Sequence, residues 1–161
     1  MSNVTARRAE ERDLENLRQH QPRPEVDLVG QRFQEMQDGT GVLAVAEYEG
    51  QIVGSGFLDF IDEDLQPEVK NLWIYPEHRR LGAGQTLWTW LEGQAREAGY
   101  KEVFLSVAPD NAKAISLFLQ LGYAPTGDHL FIENPSTHVV ADPDQVSNHY
   151  AIYSKSLQAY S

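Results

Sequence analysis

Leu72-Trp73-Ile74-Tyr75-Pro76-Glu77-His78-Arg79-Arg80-Leu81-Gly82-Ala83-Gly84-Gln85 is the stretch on which the reading of this chain turns. An apolar run enters a turn at Pro76 and passes two glycines. It then leads without a break into helical periodicity, with Leu87, Leu91, Ala95 and Ala98 on one side. Glycine lets a backbone come close to a ligand, and the first N–H groups of a helix have no internal acceptor. A strand, loop and helix in this order therefore build an anion site suited to a pyrophosphate. Arg79 and Arg80 add positive charge beside it. Two familiar phosphate loops do not fit. A Walker loop needs Lys-Ser/Thr after its second glycine, where this chain has Gln85-Thr86; a dinucleotide fingerprint needs a third small residue where it has Leu87. On these residues alone, an ordinary strand–helix turn with glycines chosen for conformation reads as well.

Upstream, residues 4–8 read as a short strand and 10–20 as a helix with Leu14 and Leu17 turned to the core. Residues 27–38 form a second helix with Leu28, Phe33 and Met36 on its apolar side, stopped by Gly39 and Gly41. Strands at 42–49 and 51–61 meet across Glu49-Gly50-Gln51, which suits a tight hairpin, and 68–75 is a fourth strand. Downstream, 84–98 is a helix with Gly99 at its C-terminal cap, and 103–107 is a buried strand. A helix over 111–121 is opened by Pro109-Asp110-Asn111 and stopped by Gly122, and 123–126 and 150–157 are closing strands. Antiparallel hairpins followed by a strand–helix–strand unit predict an α/β protein: a mixed sheet with helices on both faces.

The chain has 161 residues, 41% hydrophobic and 23% charged, and is expected to form a single domain over 1–161. Its 13 basic and 24 acidic residues give a net charge of −11, which argues against nucleic acid or an anionic membrane as partner. Cysteine is absent, so disulfides, thiolate zinc sites and a cysteine nucleophile are excluded. With no apolar run of about 18 residues and no signal-peptide core near the start, the expectation is a soluble, cytoplasmic protein.

Arg79-x-x-Gly82-x-Gly84 resembles the Q/R-x-x-G-x-G/A signature of the GCN5-related N-acetyltransferases. The run Asn111-Ala112-Lys113-Ala114-Ile115-Ser116-Leu117-Phe118-Leu119-Gln120-Leu121-Gly122-Tyr123 resembles the family's second block, N-x-x-A-x-x-L-Y-x-x-x-G-F/Y. The resemblance is specific over 68–127 and extends in element order to both ends. It implies a sheet of about seven strands with a gap between the fourth and fifth strands, and acetyl-CoA as co-substrate in that gap. Val69 and Leu72, both natural core residues at odd spacing, are consistent with a bulge near Lys70–Asn71 that would open it. Burial of both faces of a central strand explains the pair equally.

By the same resemblance, Leu72, Trp73 and Ile74 lie along the acetyl and pantetheine portions, with backbone groups of Leu72 and Ile74 pairing like an added strand. The N–H groups of Leu81, Gly82, Ala83, Gly84 and Gln85 take the pyrophosphate. Asn111 meets the pantetheine arm while also serving as a helix N-cap, and Arg80 and Lys113 reach toward the 3′-phosphate. The implied reaction is direct transfer of the acetyl group to a primary amine; with no cysteine and no serine–histidine constellation no acetyl-enzyme is expected, and His129, His138 and His149 lack the spacing of a metal site. The chain departs from the family at Phe118, where many members carry the tyrosine that protonates the leaving thiolate. A thiol pKa near 8.5 makes the thiolate a tolerable leaving group without it, whereas a non-catalytic acyl-CoA-binding or regulatory module explains Phe118 too. Tyr75 and Tyr123 are alternative acids, but aromatic packing is the simpler reading for both.

For the base, Glu68 is the first candidate, followed by Asp128, His129 and His138. Residues 114–154 hold no lysine or arginine but carry Asp128, Glu133, Asp142 and Asp144, and 59–68 add Asp59, Asp62, Glu63, Asp64 and Glu68. That acidity favours a cationic acceptor such as a polyamine, an aminoglycoside-like amine or a peptide amine, and equally serves solubility. Phe57, Phe60, Trp73 and Phe131 would instead suit an aromatic amine. A homodimer is compatible with the chain, though no feature of the sequence requires one.

Overall fold

The computed structural model describes residues 3–21, 24–61, 65–79, 81–131 and 149–157. Glu49 and Gly50 both take positive φ, 52° and 79°, the mirror-image turn that matches strand twist. It joins Gly41–Tyr48 (β2) to Gln51–Asp59 (β3), with Tyr48 paired to Gln51 as the hairpin predicts. Thr5–Arg8 (β1) pairs with β2 and Glu68–Ile74 (β4) with β3, all antiparallel. Leu14–His20 (α1) and Leu28–Gln37 (α2) lie between β1 and β2 in sequence. After β4 come a 3-10 turn at Pro76–His78, Ala83–Glu97 (α3), Glu102–Val107 (β5) and Ala112–Gln120 (α4). Ala124–Phe131 (β6) and His149–Ser156 (β7) close the sheet in the order β1-β2-β3-β4-β5-β7-β6, so β7 inserts between β5 and β6.

Two neighbouring residues of β3 separate the layers. A Cβ on Gly56 would lie 3.1 Å from Leu91 of α3, while the ring of Phe57 lies under Arg32 of α2. Adjacent strand residues point to opposite faces, so α2 and α3 cover opposite sides of the sheet. On the α3 side, Leu87, Leu91 and Ala95 are wholly buried as their spacing predicts; Ala98 is exposed, because it is the helix C-cap ahead of Gly99. On α2, Val29 rather than Leu28 joins Met36 in the core, since the helix begins at Leu28 and turns its first residue aside. β6 extends to Phe131, five residues beyond the expected 123–126, through its pairing with β7.

β4 carries the irregularity that matters. Ser55 pairs with Trp73 and Phe57 with Lys70, so Asn71 and Leu72 together face the single Gly56. Asn71 takes a left-handed φ of 58°, which asparagine adopts more readily than most residues. The bulge stands where Val69 and Leu72 predict it. β5 runs parallel to β4, but their register holds one pair, Glu68 with Phe104, and the strands separate beyond it. The expected gap between the fourth and fifth strands is thus present.

Asp13, at the head of α1, is buried and receives both terminal nitrogens of Arg7 from β1 at 2.8 and 2.9 Å, plus the Glu10 N–H at 2.7 Å. Burial pushes its carboxyl up, but the Arg7 and Glu10 bonds outweigh it and hold the group below the usual carboxylate range. A depressed folded value stabilises the fold above the unfolded pKa near 4 and loses that contribution as pH falls further. Asp13→Asn should therefore flatten the acid limb of stability. It should cost about 2 kcal/mol at pH 7, below the range for a fully buried pair, because the Arg7 side chain keeps 28% exposure. Urea unfolding at pH 7 and pH 3 checks both.

Candidate active site

The free edge of β4 follows from its pairing. Tyr75 N–H donates to Val53 O at 2.9 Å, so Tyr75 and Trp73 direct their backbone groups at β3. By strand alternation, Leu72 and Ile74 direct theirs to the other edge, where β5 has left. Arg79 Nε donates to Ile74 O at 3.2 Å on that edge, with its guanidinium 5.1 Å from the Trp73 ring centroid. The Trp73 side chain belongs to the α1 side, its indole N–H donating to His20 O at 3.1 Å. His20 stacks on Tyr75 at 4.1 Å, and the Tyr75 hydroxyl donates to Asn16 Oδ1 at 2.9 Å. Burial raises the Tyr75 phenol far above its ordinary value, with Glu77 adding to it. The C-terminal end of α1 is thereby fastened to the C-terminal end of β4.

Beside this edge stands the start of α3. Gly82 is the N-cap at φ 78° and supplies no side-chain cap. Intrahelical bonding begins with Thr86 N–H to Gly82 O at 3.1 Å, so the amides of Ala83, Gly84 and Gln85 precede it. A Cβ on Gly84 would lie 3.5 Å from the Leu72 side chain and 3.8 Å from that of Ile74, which seats the helix start over the two residues whose backbone groups face the open edge. An open cavity of about 460 Å³ adjoins the loop, lined by Gly82, Gln85, Thr86, Thr89, Trp90 and Ala6. Arg80 lies outside the described residues.

Asn111 caps α4, its Oδ1 accepting from Ala114 N–H at 3.2 Å, and exposed Lys113 sits in the same turn. Phe118 packs 4.9 Å from Trp88 and 6.3 Å from Tyr123.

Glu68 occupies the apex where β4 and β5 still pair. It is 5% exposed, and Ser106 Oγ on β5 donates to its Oε2 at 3.0 Å. Lys70 Nζ stands 2.6 Å from Asp59 Oδ2 and 4.0 Å from Glu68 Oε1. The acidic wall read from the sequence is thus offset by Lys70 at Asp59 and Glu68. Asp62, Glu63, Asp64, Glu133, His138, Asp142 and Asp144 lie outside the described residues. Asp128 is exposed on β6, and His129 faces His149 across the β6–β7 ladder, ring centroids 4.7 Å apart.

Sequence reasoning missed a buried polar chain on the other side of α3. Trp88 Nε1–H donates to the Tyr123 hydroxyl at 2.7 Å, which donates to Glu92 Oε2 at 2.6 Å, while Lys155 from β7 sits 3.1 Å from Glu92 Oε1. The available signal was Glu92 itself, a charge four residues after Trp88 within the buried stripe. Burial first, and then the Glu92 carboxylate, push the Tyr123 phenol far above its ordinary value. Its proton is committed to Glu92.

The model of the acetyltransferase (GNAT) family matches residues 6–123. Human N-acetyltransferase 8 is 33% identical over 91 residues, covering 54% of this chain and 40% of that protein. This and two further curated relatives are matched over less than two thirds of their length, 25% to 65%. Among solved structures, a GNAT acetyltransferase from Elizabethkingia anophelis with acetyl-CoA bound superposes with TM-score 0.69 at 18% identity, over 97% of this chain and 99% of that one. The spermidine/spermine N-acetyltransferase SpeG from Vibrio cholerae, in complex with manganese ions, gives TM-score 0.72 at 19% identity over 96% and 92%.

Tyr123→Phe tests packing against proton donation at this tyrosine. It strands the Trp88 N–H and one Glu92 oxygen, so unfolding free energy should fall by about 1–3 kcal/mol. The alkaline limb of the pH–rate profile should stay in place, whereas a general acid would shift it.

Proposed function

The chain belongs to the acetyltransferase (GNAT) family, and on that premise we propose that it transfers an acetyl group from acetyl-CoA to a primary amine by direct attack. The observation that carries this reading is a strand edge that β5 leaves, standing beside a helix start, with the Ile74 carbonyl bonded by Arg79 Nε–H. Leu72 and the Ile74 N–H face the side from which β5 has departed, and the start of α3 packs at Gly84 over the side chains of the same two residues. The two meet the two ends of one extended ligand: an amide-bearing arm that pairs like a strand and a diphosphate that the helix start attracts.

In the proposed reaction the amine nitrogen attacks the thioester carbon, the carbon–sulfur bond breaks, and the thiolate departs. A backbone N–H just past the β4 bulge, at Leu72, stabilises the negative charge developing on the thioester oxygen. Glu68 takes the amine's proton. It precedes Leu72 by four residues, roughly 10–13 Å along a strand, so the proton travels through water. Phe118 has no proton to give, and Tyr123 holds its own for Glu92. Tyr75 likewise donates to Asn16 Oδ1, so among these three described aromatics none protonates the thiolate, and leaving without an acid costs about 10²–10⁴ in rate relative to a site that supplies one.

The acceptor we propose is a cationic amine. Asp59, Glu68 and Lys70 leave one net negative charge at the apex of the cleft, and a net charge of −11 draws cations toward the surface. Phe118 supports a second reading, a module that binds acyl-CoA without turnover.

Calorimetric titration with acetyl-CoA should give micromolar binding to the wild type. Gly84→Leu should lose it with little change in melting temperature, because the added side chain meets Leu72 and Ile74 at the cleft; undiminished affinity would overturn the loop's role. Glu68→Gln should remove the acidic limb of the kcat/KM profile, and an unaltered profile would exclude Glu68 as the base. Release of CoA with any amine of a panel separates the enzyme from the binding module.

A further inference from the structure

Arg32 on α2 reaches across to the bulge on β4. Its side chain is 11% exposed, and its Nε–H donates to Asn71 Oδ1 at 2.9 Å over a separation of 39 residues. Its Nη1 donates to both oxygens of Glu35 at 2.9 and 3.0 Å, and the guanidinium lies 4.9 Å from the Phe57 ring centroid. Glu35 and Phe57 thus aim a nearly buried cation at the residue of β4 whose backbone is left-handed.

The consequence lies in strand alternation. The extra residue at Asn71 decides that Leu72 and Ile74, rather than Trp73, present their N–H and C=O groups to the cleft. Without the bulge, every residue beyond it would turn to the opposite side. An asparagine tolerates positive φ but does not require it, so something must favour this conformation over an extended one. A charge-assisted bond from a buried, oriented guanidinium is stronger than a neutral one, and here it is made to Asn71 in the bulge.

We propose that Arg32 is a positioning residue that holds the β4 bulge through Asn71. It thereby determines which backbone groups face the coenzyme arm and ties that edge to helix α2. The inference rests on the acetyl-CoA reading above.

The test compares two probes by calorimetry: acetyl-CoA, and 3′-phospho-ADP, the phosphate-bearing end of the coenzyme alone. Arg32→Met and Asn71→Gly should each weaken acetyl-CoA about ten-fold while leaving 3′-phospho-ADP within about two-fold, because the phosphates meet the loop and not β4. The double variant should be no weaker than either single, since both remove one interaction. Arg32→Lys, which keeps one donor but not the fork, should recover part of the loss. Asn71→Gly accepts positive φ without strain and carries the comparison should Arg32→Met not fold. Unchanged acetyl-CoA affinity, equal losses for both probes, or additive losses in the double variant would overturn the proposal. A wild-type protein that binds neither probe would overturn the acetyl-CoA reading, and this proposal with it.

Discussion

A parallel pair of central strands ordinarily satisfies its backbone along its whole length, and this sheet gives that up after one register pair. The constraint is the extra residue in β4, with Asn71 and Leu72 standing opposite Gly56. Gly56 lets Leu72 and Leu91 close over this point. A Cβ there would come within 3.1 Å of both Leu72 and Leu91, tighter than ordinary contact. With the bulge in place, the strand bends and its outer edge parts from β5. Unpaired backbone donors and acceptors are costly if buried and useful if a ligand pairs them, so the same irregularity that weakens the sheet leaves an edge that a ligand could pair.

The rest of the molecule keeps that opening in place from both faces. On one face, α3 is fixed by the buried Leu87, Leu91 and Ala95, together with the Trp88–Tyr123–Glu92–Lys155 chain, which ties it to the region of β6 and β7. Its N-terminus then has to arrive beside Leu72 and Ile74. On the other face, Asp13 and Arg7 pin the head of α1 to β1, while Trp73, His20 and Tyr75 pin its tail to β4. Arg32 joins α2 to the bulge itself. Buried charges are expensive unless paired, and here Asp13, Glu92 and Arg32 each have partners drawn from a different element or turn, which makes the relative placement of those elements specific.

Much of this was legible in the chain. The hairpin at Glu49-Gly50, the helix stops at Gly99 and Gly122, the N-cap at Asn111 and the bulge near Asn71 are local matters, governed by φ preference, capping and the parity of a strand. Each left its mark within a few residues. The loop from Arg79 to Gly84 was legible for the same reason. What escaped were partnerships between distant residues. Nothing near Glu92 in sequence announces Tyr123 and Lys155, 31 and 63 residues away. Likewise, the acidic composition around Asp59 and Glu68 read as an open negative wall until Lys70 was seen between them.

The sequence by itself determined the order of elements, the mixed sheet, the glycine turn that opens α3 and the place where β4 breaks its register. These depend on backbone conformation and hydrophobic period, which neighbouring residues settle among themselves. Only the tertiary structure decided which charges are spent on one another, which tyrosine has its proton engaged, and how a helix on the far side of the sheet holds the bulge. Those outcomes depend on side chains brought together across 30 or more residues of chain, and burial gives such contacts their strength only after the fold has formed.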